Sequence, residues 1–316
     1  MDAKILISVE HLYRYYGHYL AVEAISFELK QGEVLGLLGP NGAGKSSTMQ
    51  MISGNLAPSA GRIRINGIDL LDDPKRAKAE IGYLPEQPPV YRDLTVDEYL
   101  AYCARLHRVS KARRGPAVRH AKQRCGLASV GRRLIGNLSK GFQQRVGIAQ
   151  AILHNPAVVI LDEPTVGLDP NQIRDIRSLI RELGESHGII LSTHILPEVQ
   201  ATCTRVQIIH QGRLVFAQTM QELERRLTSH VLLLETRQPL DAAGLGAIPG
   251  IDNIELLGAR RGRLHFTDNN PADAVAAYVA NAGLGLVELA LDRQTLEQVF
   301  VELTCSDRPE AAEDAA

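Results

Sequence analysis

Short apolar runs recur through the first two thirds of the chain, with helix-like stretches between them. "ILISV" (5–9), "AISFEL" (24–29) and "GRIRINGIDL" (61–70) mix apolar and polar positions and predict strands of an antiparallel edge layer. "EVLGLL" (33–38) is apolar throughout and predicts a buried parallel strand. The same reading applies to "AVVIL" (157–161), "GIILS" (188–192) and "RVQIIH" (205–210). Residues 92–131 are mostly helical in pattern and basic, and "RVSKARRGPAVRHAKQR" within them predicts a solvated face, with a docking surface as the alternative.

The pattern changes after about residue 228. "HVLLLET" (230–236) predicts a strand, "PLDAAGLGAI" (239–248) a weak helix, and "NIELLGARRGRLHFT" (253–267) a hairpin turning at Arg261–Gly262. "NPADAVAAYVANAG" (270–283) is a capped helix closed by glycine, "LGLVELAL" (284–291) a strand, and "TLEQVFVELT" (295–304) a last helix. The order β-α-β-β-α-β is that of a small ferredoxin-like unit. The expected domains are therefore 1–228 and 229–305, with a small, acidic, disordered tail over 306–316.

Length supports this division, since 316 residues suit one large domain and one small one. Composition adds little, because 45% hydrophobic and 22% charged residues are ordinary for a soluble globular chain. A formal net charge of −1 gives no global pull toward nucleic acid or an anionic membrane. Cys103, Cys125, Cys203 and Cys305 lie far apart with no metal-type spacing and read as reduced cytosolic thiols. "MDAKILISVE" lacks a basic segment followed by an apolar one, so no signal peptide is expected. No run of 18 apolar residues occurs, so a membrane connection is expected to come through a partner.

The chemistry begins at "GPNGAGKSS" (39–47), between the strand "EVLGLL" and a helical stretch. It fits G-x-x-x-x-G-K-[ST] with Gly39, Gly44, Lys45 and Ser46. Gly42 and Gly44 let the backbone curl so that successive N–H groups point at phosphate oxygens. The helix that follows adds its positive end. Lys45 reaches the β- and γ-phosphates, and the Ser46 hydroxyl suits Mg²⁺. A plain glycine-rich turn is the alternative, and the strand–loop–helix context argues against it.

"AVVILDEP" (157–164) is a strand ending in two carboxylates. Asp162 is expected at the carboxyl edge of the sheet, where open α/β sheets bind ligands, and there it can orient Mg²⁺. Glu163, one residue on, is placed to polarise a water attacking the γ-phosphate. Asp-Glu pairs after strands often only cap the next helix; a phosphate loop upstream in the same sheet favours the catalytic reading.

With these motifs placed, residues 4–220 resemble the ATP-binding cassette (ABC) ATPases. "GPNGAGKSS" is similar to the Walker A loop, "GYLPEQPP" (82–89) to the Q-loop, "LSKGFQQR" (138–145) to the signature, "VVILDEP" to Walker B, "GLD" (167–169) to the D-loop and "STH" (192–194) to the switch histidine. Six motifs in the family's order are far more specific than any one of them. The resemblance implies a P-loop ABC core, a mixed sheet with an antiparallel β subdomain and a helical subdomain, plus the small C-terminal α+β unit. It implies ATP contacts from Gly39, Asn41, Gly42, Gly44, Lys45, Ser46, Ser47, Gln87, Ser139, Gly141 and Asp169. Mg²⁺ ligation falls to Ser46, Gln87 and Asp162, and catalysis to Glu163 and His194. Tyr16 falls where the family places an aromatic under adenine, with Tyr13, Tyr15 and Tyr19 in competition.

In this family the signature serves the nucleotide of a second cassette packed head to tail. Ser139 and Gly141 suit that task at a helix start. Lys140 and Phe142 depart from the common "LSGGQ" form, and Lys140 is expected to point to solvent. One Walker A and one signature per chain imply an ATP-dependent dimer, with a copy of itself or with another ABC ATPase.

What the ATPase drives is inferred from resemblance alone. "IGYLPEQPPVYRDLTVDEYLAYCARL" is most similar to ATPases of ABC-2-type exporters, including multidrug, gliding-motility and copper-enzyme-maturation systems. "TLEQVFVELT" resembles the small domain that closes many of these subunits. This implies export through a separate membrane permease, a position on the inner face of the cell membrane, and no nucleic-acid partner. The permease would dock at Pro88, Pro89, Tyr91 and Leu94. The alternative is a soluble translation- or DNA-associated ABC ATPase. Translation-type members carry two cassettes per chain, and DNA-type members carry a long coiled coil between Walker A and Walker B; neither feature is present here.

Overall fold

The structure is a computed structural model, and it describes residues 3–227, 230–267, 270–292 and 296–305. The expected disordered tail lies outside the described residues. Two compact units divide the chain, one of the described residues up to Met220 together with those from Leu303, the other Gln221–Glu302.

In chain order the first unit runs β1 (Ile5–Tyr16), β2 (Tyr19–Lys30), β3 (Val34–Leu38), α1 (Lys45–Ile52), β4 (Ala60–Ile65), β5 (Ile68–Asp69), α2 (Pro74–Ala79) and β6 (Ile81–Leu84). It continues with α3 (Val96–Leu106), α4 (Lys111–Arg124), α5 (Lys140–Ile152), β7 (Val158–Asp162), α6 (Pro170–Gly184), β8 (Gly188–Ser192), α7 (Leu196–Thr202), β9 (Arg205–His210) and β10 (Arg213–Thr219). The antiparallel layer has the order β2-β1-β4-β5. The expected strand over 61–70 is in fact two strands, because Asn66 and Gly67 both take positive φ and turn the chain back.

The second sheet has the order β10-β9-β3-β8-β7-β6, parallel from β9 to β6 with β10 antiparallel at one edge. β3, β7 and β8 are buried at every position. That burial explains their unbroken apolar runs, since a parallel sheet is covered on both faces. One core joins both sheets and α1, through residues such as Ile7, Val22, Leu35, Met49, Ile160 and Ile190. The register pairs Leu37 with Ser192 and Asp162 with Ser192, so the carboxyl ends of β3, β8 and β7 lie side by side. Among its residues α4 buries only Ala121, which fits the solvated basic face read from its sequence.

The second unit contains β11 (Val231–Thr236), α9 (Ala242–Gly246), β12 (Ile251–Leu256), β13 (Arg261–Phe266), α10 (Ala272–Asn281) and β14 (Leu286–Leu291), preceded by α8 (Met220–Leu227) and followed by α11 (Leu296–Cys305). Its sheet order, β12-β13-β11-β14 with antiparallel neighbours, is the ferredoxin-like arrangement. Leu232, Leu234, Leu245, Leu264, Val275 and Val279 fill its core. The hairpin turns over residues 257–260, not at Arg261–Gly262. Gly262 is a strand residue, opposite both Leu256 and Leu234, and a Cβ there would stand 3.1 Å from Leu240.

Candidate functional site

The glycine loop leaves the buried end of β3 and must pass β9 and β2 closely to reach α1. A Cβ on Gly39 would lie 2.2 Å from the Ile209 carbonyl oxygen, and one on Gly44 would lie 2.7 Å from that of Ala21. Gly44 also has φ of 104°, which favours glycine. α1 therefore starts with its amino end open to the loop. Lys45, at its first position, is buried and donates to the carbonyls of Gly39 (2.7 Å) and Pro40 (3.0 Å). Burial pulls its ammonium below the usual lysine range, and the nearby Glu163 and Asp162 carboxylates work against that.

Two strands away, β7 delivers Asp162, itself buried. Glu163 then leaves the strand with φ of 47°, a conformation side-chain-bearing residues seldom adopt. Its N–H donates to the Ser192 carbonyl at 3.0 Å, fixing the bend to the end of β8. That bend brings Glu163 Oε1 to accept from His194 Nδ1 at 2.8 Å. Glu163 Oε2 is buried and has no partner. Burial raises the pKa of both carboxyls, opposed at Glu163 by His194 and at Asp162 by Ser192 and Lys45.

These groups share one cavity of about 500 Å³. Tyr16, Asn41, Gly42, Gly44, Lys45, Ser46, Ser47, Asp162, Glu163 and His194 line it, so ten of the predicted site residues converge. Tyr16 stands 44% exposed at the rim, with its hydroxyl 3.3 Å from Ser47 Oγ and the Arg14 guanidinium 4.6 Å from its ring centre. The cavity also takes in Tyr19, Glu86 and Ser192, which the sequence reading did not select as site residues. Tyr19 was one of four competing tyrosines, and Glu86 neighbours the chosen Gln87. Nothing local in "STH" marked its serine.

Gln87 is placed elsewhere. It lines an adjacent groove with Glu86, Lys140, Gln143 and Val166. Ser139, Gly141 and Asp169 are also outside the main cavity. Ser139 is exposed and caps α5, accepting from the Phe142 N–H at 3.4 Å. Gly141 is buried against Gln172 of α6; a Cβ there would meet Gln172 Oε1 at 2.6 Å. Asp169 caps α6, accepting from the Gln172 N–H at 2.9 Å. Lys140 does not simply extend into solvent, because its ammonium lies across Gly167, 2.1 Å from where a Cβ would stand. With no side chain at Gly167, the lysine stem can fold onto that loop.

A family profile described as "ABC transporter" matches residues 22–166. The bacitracin transport ATP-binding protein BcrA of Bacillus licheniformis is 36% identical over 302 residues, 94% of this chain and 97% of that protein. The chain belongs to the ABC transporter ATP-binding proteins. The daunorubicin resistance ATP-binding protein DrrA3 of Streptomyces coeruleorubidus is 30% identical, and the match covers 97% of this chain and 98% of that one. A solved ATP-binding subunit of an ABC transporter is similar at 34% identity with a TM-score of 0.64, over 70% of this chain and 92% of that one. ATP-binding subunits of ABC transporters work with membrane permease subunits. In this chain no helix among the described residues is long and apolar enough to cross a membrane.

Proposed function

We propose that the chain hydrolyses ATP as one half of a two-cassette dimer and drives export through a separate ABC-2-type permease. The observation that carries the hydrolytic part is the Glu163–His194 pair, which opens on the same cavity as Lys45 with one carboxylate oxygen left unpartnered. In the working site the carboxylate turns this free oxygen from its buried position onto a water molecule, and the raised pKa of the carboxyl improves it as a base for the proton the water loses. His194 holds the carboxylate in position through Nδ1. Lys45 exchanges its two loop carbonyls for phosphate oxygens. Tyr16 and Tyr19 offer aromatic surface at the rim for the base.

The donor set also fits Mg²⁺. Ser46 supplies a hydroxyl and Asp162 a carboxylate from the same cavity, and Asp162 is held against its burial, a strain a nearby cation relieves. When bound, the ion supplies charge neutralisation between the phosphates; the residues that would hold it are Ser46 and Asp162. Gln87 reaches this site only if its loop moves, and we assign it to the junction between the cavity and the signature groove.

Completion in trans follows from the exposed α5 tip. Ser139 is exposed and does not line the chain's own cavity, and in our reading a second chain supplies the triphosphate that its hydroxyl and the helix amino end receive. Permease docking is placed at Pro88, Pro89, Tyr91 and Leu94. Tyr91 is 54% exposed and packs edge-on against Tyr99 and Tyr102, a small aromatic platform for a partner helix. We place the chain at the inner face of the cell membrane through that partner, and the ferredoxin-like unit as an accessory domain.

Glu163→Gln tests the hydrolytic reading. The variant is expected to bind ATP with affinity unchanged within about threefold, to dimerise with ATP, and to lose about a thousandfold in turnover. Turnover at the wild-type rate would remove Glu163 from the base role.

A further inference from the structure

A buried carboxylate outside the cavity joins the two segments that carry the catalytic pair. Glu198, on α7, is 1% exposed. Its Oε1 accepts from the Thr165 hydroxyl, and its Oε2 accepts from the Thr193 hydroxyl at 2.9 Å. Thr165 follows Glu163 by two residues, and Thr193 immediately precedes His194. Both threonines are buried, at 3% and 0% exposure. Thr193 Oγ1 also accepts from the Ile195 N–H at 3.1 Å, so the hydroxyl fixes the backbone on both sides of His194. Arg177 of α6 stands 3.8 Å from Glu198 Oε1 and offsets its charge.

A charge so deeply placed is costly unless fully partnered. Here each oxygen is used, and each partner belongs to a different catalytic segment. The Glu163–His194 hydrogen bond of 2.8 Å spans the two segments beyond the point where the Glu163 N–H to Ser192 carbonyl bond ties their backbones. We infer that Glu198 is a positioning residue: it clamps the loop after Walker B to the switch loop and so sets the distance and angle between the Glu163 carboxylate and the His194 imidazole. The inference rests on the hydrolytic reading above for its effect on rate, and on geometry alone for its effect on the pair.

The isosteric change Glu198→Gln can accept from one threonine only. In the full-length chain it is expected to lower kcat about 30-fold, while ATP affinity stays within about threefold and the melting temperature within a few degrees. Glu198→Ala should lose more, and Thr165→Val and Thr193→Val should each lose about 5–10-fold, not additively with Glu198→Gln. The ¹⁵N and proton signals of the His194 Nδ1–H, read on histidine-labelled protein without nucleotide, should report a weakened hydrogen bond in Glu198→Gln. If the wild type shows no ATP turnover but this signal still responds, the hydrolytic reading fails and the clamp stands. If turnover and the His194 signal are both unchanged in Glu198→Gln, the clamp is wrong. If affinity and melting fall in step with kcat, Glu198 is merely structural and the inference is also overturned. Should Glu198→Gln fail to fold, the two threonine variants decide by the same readouts.

Discussion

The Walker corner and the tip of α5 carry the same kind of equipment, backbone N–H groups at a helix start with a hydroxyl and a lysine beside them. They are used in opposite ways. At the Walker corner the helix start is enclosed: Lys45 is buried, two carboxylates crowd it, and tyrosines rim a common cavity. At the α5 tip Ser139 and Lys140 are exposed, the serine satisfies its own helix, and the lysine lies back over Gly167. The difference teaches that anion-binding chemistry alone does not make a site. On the function proposed above, the first region holds the triphosphate and the second is half of a site that another chain completes.

That contrast is sharpest under two substitutions. Lys45→Met removes a charged donor from an enclosed site and should weaken ATP binding about 100-fold, measured by calorimetry on the isolated chain. Ser139→Arg should leave that affinity within about twofold but cut turnover about 100-fold, because it removes a donor needed at the phosphate held by the partner chain. Equal losses of affinity in both variants would erase the distinction between the regions.

How much of this was legible in the chain depends on whether the signal is local. The Walker loop, Asp162, Glu163 and His194 were readable because each is the end of a short apolar run, and parallel strands bring such ends together. Ser139 was readable as a cap. The side chains of Glu198 and Lys140 were not, because their partners at Thr165 and Gly167 lie 33 and 27 residues away and no periodicity encodes a meeting of loops. The hairpin turn is ambiguous in the sequence because Gly258 and Gly262 offer equal turn signals, and the pairing of Gly262 with Leu234 decides between them. The motif points to Gln87, whereas it is Glu86 that lines the cavity, with Gln87 in the adjacent groove.

A smaller effect is expected at Lys140. Lys140→Met keeps the stem over Gly167 but removes the ammonium, and turnover should fall about threefold with no change in monomer affinity. An affinity change would tie Lys140 to its own chain's nucleotide instead.

The smallest effect separates fold from site. His154 stacks on His107 at 3.9 Å between ring centres, and burial holds its pKa down to about 4; His107 is lowered for the same reason. For a group depressed in the folded state, stability is full above the unfolded value, about 6.5, and is lost as pH falls toward 4. Melting temperature should therefore decline from pH 6.5 downward, and His154→Gln should flatten that decline. ATP affinity at pH 6 should be the same in both proteins, since neither histidine lines the Walker cavity.

The most direct test of the two-chain site mixes the two inactive proteins. A dimer of one Lys45→Met chain and one Ser139→Arg chain contains one intact composite site, with Lys45 from one subunit and Ser139 from the other. An equimolar mixture is expected to recover about a quarter of wild-type ATP turnover, the share given by random pairing with one working site in each mixed dimer. No recovery in a mixture shown to form mixed dimers would contradict the claim that each triphosphate is held between subunits.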